Sequence, residues 1–262
     1  MKKLFVFLAL AAVVFTACNK PATSGKDKGG KTGGYEAPIK IDGDFSDWAA
    51  LDPSKVVVAE CGADAAYKDL KKMKLYYDEY YLFVYLEYDF SAYGNKVGSE
   101  DGAWFVTHMF CFNDDNNTAT GGYPGQWEQG DKPCIDGFVE FTTVDGDPGE
   151  TPDQRVIGSL VHEPTFAYYE WTGAPNASTW SWGAVEADMA KFAKGYATDR
   201  AIEISFLRAL YPRGKMEDTI TIGVNCQVNG WDATGALPNQ GGEVSDTNPT
   251  GRPNLLSITA IK

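Results

Sequence analysis

The residues best placed to do chemistry cluster where an apolar run meets an oxygen-rich one. Asp114, Asp115, Asn116 and Thr118 bring carboxylate, amide and hydroxyl oxygens into one short stretch that closes at Gly121-Gly122. A hard cation such as calcium is held by oxygens of these types, so the four residues are candidate ligands for a structural calcium ion. The same side chains also bond their own backbone in Asx turns, and glycine accepts the positive φ that such turns need. The spacing lacks the distal glutamate of an EF-hand. An ion here would stabilise a loop and would not take part in catalysis.

A second set is aromatic and amide. Trp104 heads the run Trp-Phe-Val-Thr-His-Met-Phe-Cys-Phe, which has the span and composition of one buried strand leading into the acidic turn. Farther on, Ile220, Ile222, Val224, Cys226 and Val228 alternate with Thr221, Gly223, Asn225, Gln227 and Asn229. One face of that strand is core and the other is a ladder of amides, a group that meets either water or the hydroxyls of a ligand. Trp231 follows directly.

Catalytic signals are weak. Glycoside hydrolysis needs two carboxyl groups held roughly 5–10 Å apart, and among 36 acidic residues no pair stands out by context. The only histidines are His108 and His162, and there is no Gly-x-Ser-x-Gly elbow. His108 and Met109 are adjacent on one strand and point to opposite faces, so they cannot both ligate one haem iron, and a partner such as Met73 or Met216 would be required for either. Cys61, Cys111, Cys134 and Cys226 show no zinc spacing, and as four cysteines they allow three disulfide pairings.

The elements that must position these residues follow from the rest of the chain. Lys2-Lys3 and the apolar run Leu4 to Phe15 form a leader, and Phe15-Thr16-Ala17-Cys18 resembles a bacterial lipobox with Cys18 as the lipidated residue. Residues 1–17 are read as a signal peptide and 18–34 as a flexible Gly/Lys/Ser tether. Residues 35–262 are read as a single domain. Asn19-Lys20 does not resemble an inner-membrane retention signal, so the expected site is the outer membrane of a bacterial envelope. The formal net charge is −13, and loss of the leader removes two lysines more. Such a surface disfavours nucleic acid and suits neutral ligands.

Within the domain, 38–51 reads as a short strand, a turn at Asp42-Gly43 and a return to the core at Trp48. Residues 73–88 read as a hairpin turning at Asp78-Glu79, with a central second strand. An aromatic hairpin is expected across 166–182, and residues 184–194 fit a short helix ending at Gly195 or a strand. Many short strands with turns between them predict an all-β, antiparallel β-sandwich with at most one short helix.

Ile41-Asp42-Gly43 with Trp48, Lys74-Leu-Tyr-Tyr-Asp-Glu-Tyr-Tyr-Leu-Phe-Val, the strand into Asp114-Asp115-Asn116-Asn117, Ile202-Glu203-Ile204, Ile222 to Asn229 and the closing Asn254 to Lys262 stand in an order that resembles family 9 carbohydrate-binding modules and the wider DOMON-like sandwiches. The resemblance implies non-catalytic binding of a neutral oligo- or polysaccharide, stacked on tryptophan and fixed by amides. Trp104 matches the first platform and Gln227 a late-strand amide, with Asn229 alongside and Trp231 as substitute for a second tryptophan. The chain departs from the pattern at Thr107 and Phe110, where acidic residues are usual, and by having no tryptophan between Gly241 and Pro253. Those departures leave room for an accessory lipoprotein that contacts a protein partner through the 166–182 hairpin.

Overall fold

The computed structural model describes residues 34–63, 65, 67–93, 96–122, 134–175, 177, 181–238 and 255–262. The leader, Cys18, the tether up to residue 33, the loop 123–133, Trp180 and the Gly/Pro-rich tail 241–253 lie outside the described residues. Residues 37–262 form one compact unit. Its strands are β1 (Val56–Glu60), β2 (Leu70–Tyr77), β3 (Tyr81–Tyr88), β4 (Val106–Asn113), β5 (Gly137–Asp147), β6 (Val156–Leu160) and β7 (Phe166–Trp171). They continue with β8 (Trp182–Ala184), β9 (Ala193–Ala197), β10 (Ala201–Leu207), β11 (Thr219–Val228), β12 (Ala233–Leu237) and β13 (Leu256–Thr259). Two single-turn helices, α1 (Asp47–Ala50) and α2 (Met189–Phe192), interrupt them. Among the described residues no helix is long and apolar enough to cross a membrane.

The strands form two antiparallel sheets. The first runs β1-β2-β3-β10-β9, and the second β12-β11-β4-β5-β7-β8, with β13 also on β11 and β6 also on β5. Side chains alternate across each strand, so one set from each sheet meets in the middle. That inner layer contains Leu75, Val84, Phe110, Phe112, Phe141, Ile204, Phe206, Ile222 and Val224. The molecule is an all-β sandwich, as the spacing of short apolar runs predicts.

The strand beginning near Trp104 is the middle of the second sheet, between β11 and β5, and all eight residues of β4 are buried. Its outer face, with Met109 and Cys111, lies under Ile135, Phe138 and Leu255. The 73–88 hairpin turns where expected. Asp78 Oδ1 accepts from the N–H groups of Tyr80 and Tyr81, each at 2.8 Å, and β3 is central.

Two local expectations are corrected. Residues 38–42 form no strand, although Ile39 and Ile41 are buried. They cross the outer face of the first sheet as a strap, packing with Trp48 on Phe83. The N–H groups of Lys40, Asp42 and Gly43 go to side chains instead of a ladder: Asp47 accepts from Lys40 at 2.9 Å, and Glu203 Oε1 accepts from Asp42 at 2.8 Å and from Gly43 at 2.7 Å. Gly43 is needed there, since its φ is +86° and a Cβ would lie 2.6 Å from the Tyr196 ring. The 184–194 stretch divides between the readings, with α2 giving way at once to β9, so Gly195 is a strand residue and not a helix stop.

Candidate ligand-binding site

Strand β4 joins the two sequence-flagged clusters and sends them to opposite ends of the second sheet. At its start, pairing with β11 sets Val106 against Val228 and Thr107 against Gln227, which brings Trp104, Phe105, Asn229 and Trp231 together. Asn229, with φ +57°, is the joint of this end. Its Oδ1 accepts from the N–H groups of Trp104 (2.9 Å) and Phe105 (3.2 Å), and its Nδ2 donates to the Gly102 carbonyl (2.6 Å). An amide that satisfies three backbone groups is a positioning residue: both acceptor sites of its oxygen are taken, and one of its two N–H donors is used.

The two tryptophans differ in kind. Trp104 is only 3% exposed, and the Arg155 guanidinium lies 4.8 Å over its ring. Its face is therefore occupied by a cation–π contact and is not an open platform. Trp231 is 60% exposed. The Phe105 ring meets it edge-on at 5.1 Å, and Gln227 Nε2 donates to its carbonyl at 2.5 Å. The amide expected to meet a ligand hydroxyl thus fixes the tryptophan's backbone. Asn225, the other amide of the ladder, is buried. Phe105 was legible only as one more apolar residue of a core strand, and nothing local marked Arg155 as the cover of Trp104.

At the other end of β4, Asp115 Oδ1 accepts from the Asn117 N–H (2.7 Å) and its Oδ2 from the Thr120 hydroxyl (2.9 Å). Asn116, with φ +53°, donates through Nδ2 to the Thr219 carbonyl at 2.5 Å. These groups make an Asx turn with its oxygens directed at the loop's own donors. Thr118 is exposed, and Asp114 is drawn away from the turn into a buried cluster. Among the described residues no group of three or more His, Cys, Asp or Glu side chains is placed to hold a metal ion.

The buried cluster is the chemistry that the sequence concealed. Asp136 Oδ2 accepts from the Asp114 N–H at 2.9 Å, and Arg213 stands 3.5 Å from both carboxylates and 3.7 Å from Glu170. The Tyr168 and Tyr211 hydroxyls, 3.0 Å apart, lie beside them. Burial first, and then the neighbouring Asp114, push Asp136 up to about 7. The bond from the Asp114 N–H to Asp136 and the shared Arg213 hold the two side chains in one ionic group.

The shift has a testable sign. A carboxyl whose folded pKa lies above its unfolded value of about 4 takes up a proton on folding between those two values. Its contribution to stability is therefore full below pH 4 and is lost as pH rises to 7. Asp136→Asn keeps the acceptor for the Asp114 N–H and removes the titration. The variant is expected to have the higher melting temperature at pH 8 and a smaller difference between pH 5 and pH 8 than the wild type. Parallel melting curves across that range would show that Asp136 takes up no proton on folding.

His108 is fully buried on the inner face, with Nε2 2.9 Å from the Thr143 hydroxyl and its ring stacked on Phe141 at 4.9 Å. Burial lowers its pKa to about 3, so it is a neutral core residue. Met109 faces the opposite side of the sheet, among the outer cluster. All four described cysteines are free thiols.

The fold defines the class, an antiparallel β-sandwich whose central strand presents a braced, exposed tryptophan at one end and a buried ionic cluster at the other. No protein-family model and no curated protein matches the chain.

Proposed function

We propose that the protein is a non-catalytic carbohydrate-binding lipoprotein of a bacterial cell envelope, resembling the family 9 modules. The observation that carries this reading is Trp231, a largely exposed indole held from behind by Phe105 and through its carbonyl by Gln227. A sugar presents an apolar face that stacks on such a ring, and a platform rigid before binding lowers the entropy cost of association. The acidic net charge fits a neutral glycan, and the lipobox-like run ending at Cys18 fits anchoring, most simply at the outer membrane.

A glycan array followed by affinity electrophoresis of the purified protein, with calcium and with chelator, tests the reading. Trp231→Ala is expected to weaken binding by about 10-fold or more while leaving the melting temperature unchanged. Trp104→Ala is expected to cost about 3–5 kcal/mol of stability, because it empties a buried site. Binding that survives in Trp231→Ala would move the site. Absence of binding by the folded protein would favour the accessory reading, in which the edge-to-face pair Trp171 and Trp182 on β7 and β8 meets a protein partner. Palmitate labelling that disappears in Cys18→Ser checks the anchor.

A further inference from the structure

The first sheet ends at β9, and its free edge is treated differently at two neighbouring positions. At Ala197 the edge is capped from within the chain. The Ala197 N–H donates to the His162 carbonyl at 2.7 Å, and the Ala197 carbonyl accepts from His162 Nδ1 at 2.9 Å. Backbone groups in an antiparallel pair point alternately toward and away from the partner strand. Since Ala197 points away from β10, Gly195 does so too, whereas Lys194 and Tyr196 point into the ladder.

Gly195 is buried, yet among the described residues its outward N–H and C=O have no partner. Buried backbone groups are nearly always paired, so an unpaired donor and acceptor on one residue require an explanation. Beyond His162 the chain turns away from the edge and opens a cavity of about 380 Å³ against Gly195. Pro164, Phe166, Met189, Ala190 and Ala193 line it. A Cβ on Gly195 would lie 2.8 Å from the tip of the Phe166 ring, so a larger residue here would push that ring aside.

We propose that this cleft binds an extended peptide by strand addition. One peptide residue donates its N–H to the Gly195 carbonyl and accepts the Gly195 N–H, and an adjacent apolar side chain fills the cavity. A donor and an acceptor at strand spacing beside an apolar pocket is what an extended peptide presents. His162 already makes the equivalent contact two residues along. Glu163, Thr165 and Lys194 are the polar members of the lining, and the remainder is apolar, which suits an apolar side chain better than a sugar. The site is separate from Trp231.

The test is amide hydrogen exchange and chemical-shift titration on the purified protein, with acetyl-Thr-Val-Leu-Val-Thr-amide as probe. In the free protein the Gly195 amide is expected to exchange at least about 100-fold faster than those of Lys194 and Tyr196. The peptide should slow Gly195 and shift its resonance saturably, and the same peptide N-methylated at leucine should not. Ala190→Trp, at an exposed position on the cavity wall, should abolish the effect while leaving the melting temperature unchanged. Each of four outcomes would overturn the proposal. They are a Gly195 amide already protected in the free protein, no saturable shift up to about 1 mM peptide, equal binding of the N-methylated peptide, and full binding by Ala190→Trp.

Discussion

Arg208→Met is expected to cost about 3–5 kcal/mol, which for a chain of this size lowers the melting temperature by roughly 10 °C. Arg208 directly follows β10, with a side chain only 2% exposed. One terminal nitrogen donates to the carbonyls of Asp78 (2.9 Å) and Glu79 (3.3 Å), in the turn of the β2–β3 hairpin. The other donates to the Met216 carbonyl (3.2 Å) and to Asp218 (2.7 Å), and the guanidinium sits 4.5 Å over Tyr77. One planar fork thus joins a hairpin turn to the loop that carries Tyr211 and Arg213. Methionine fills the volume but leaves buried carbonyls with no donor. Arg208→Lys, which keeps the charge and loses the fork, should fall between. Asp218→Asn should matter far less, because Asp218 is half exposed. Equal melting temperatures for Arg208→Met and the wild type would mean that water replaces the guanidinium at no cost.

Glu203→Ala is expected to free the strap of residues 38–48 before the sandwich itself unfolds. Its carboxylate takes two backbone N–H groups on one oxygen while wholly buried. Truncation leaves both donors without an acceptor, at about 1–3 kcal/mol each. The strap contributes Ile39, Ile41 and Trp48 to a small cluster of its own over Phe83, separate from the main core. Hydrogen exchange in 39–48 should therefore accelerate by at least about 100-fold while β4 and β11 stay protected. Glu203→Gln retains the accepting oxygen and should behave nearly as the wild type. Uniform acceleration across the protein in Glu203→Ala would show the strap and sandwich to be one cooperative unit.

Much of this architecture is legible in the sequence because its signals are local. The unbroken apolar run of β4 marks a strand covered on both faces, and the 73–88 alternation with Asp78 at the turn marks a hairpin. Strands β6 and β12 escaped notice. Val156 and Ile157 of β6 are exposed, so the strand is defined by its pairing with β5 and not by an apolar face. The strap misled for the converse reason, since alternating Ile39 and Ile41 reads as strand although a carboxylate from β10 takes the backbone N–H groups at Asp42 and Gly43. The candidate sites were half legible. Trp104, Gln227, Asn229 and Trp231 do meet at one sheet end, but which indole is covered depends on Arg155, far along the chain. Asp114 stood out while its partners Asp136 and Arg213 did not, because long-range pairing leaves no spacing to read.

The strap also decides how the body answers a mechanical load. Tension arriving from the N-terminal side reaches the strap before any strand, and the strap lies flat on the sheet without ladder bonds. It can be peeled contact by contact, with the Glu203 attachment and the Trp48 packing as the successive points that yield. Above the strength of those contacts the strap behaves as a mechanical fuse, releasing its own residues while the sandwich remains intact.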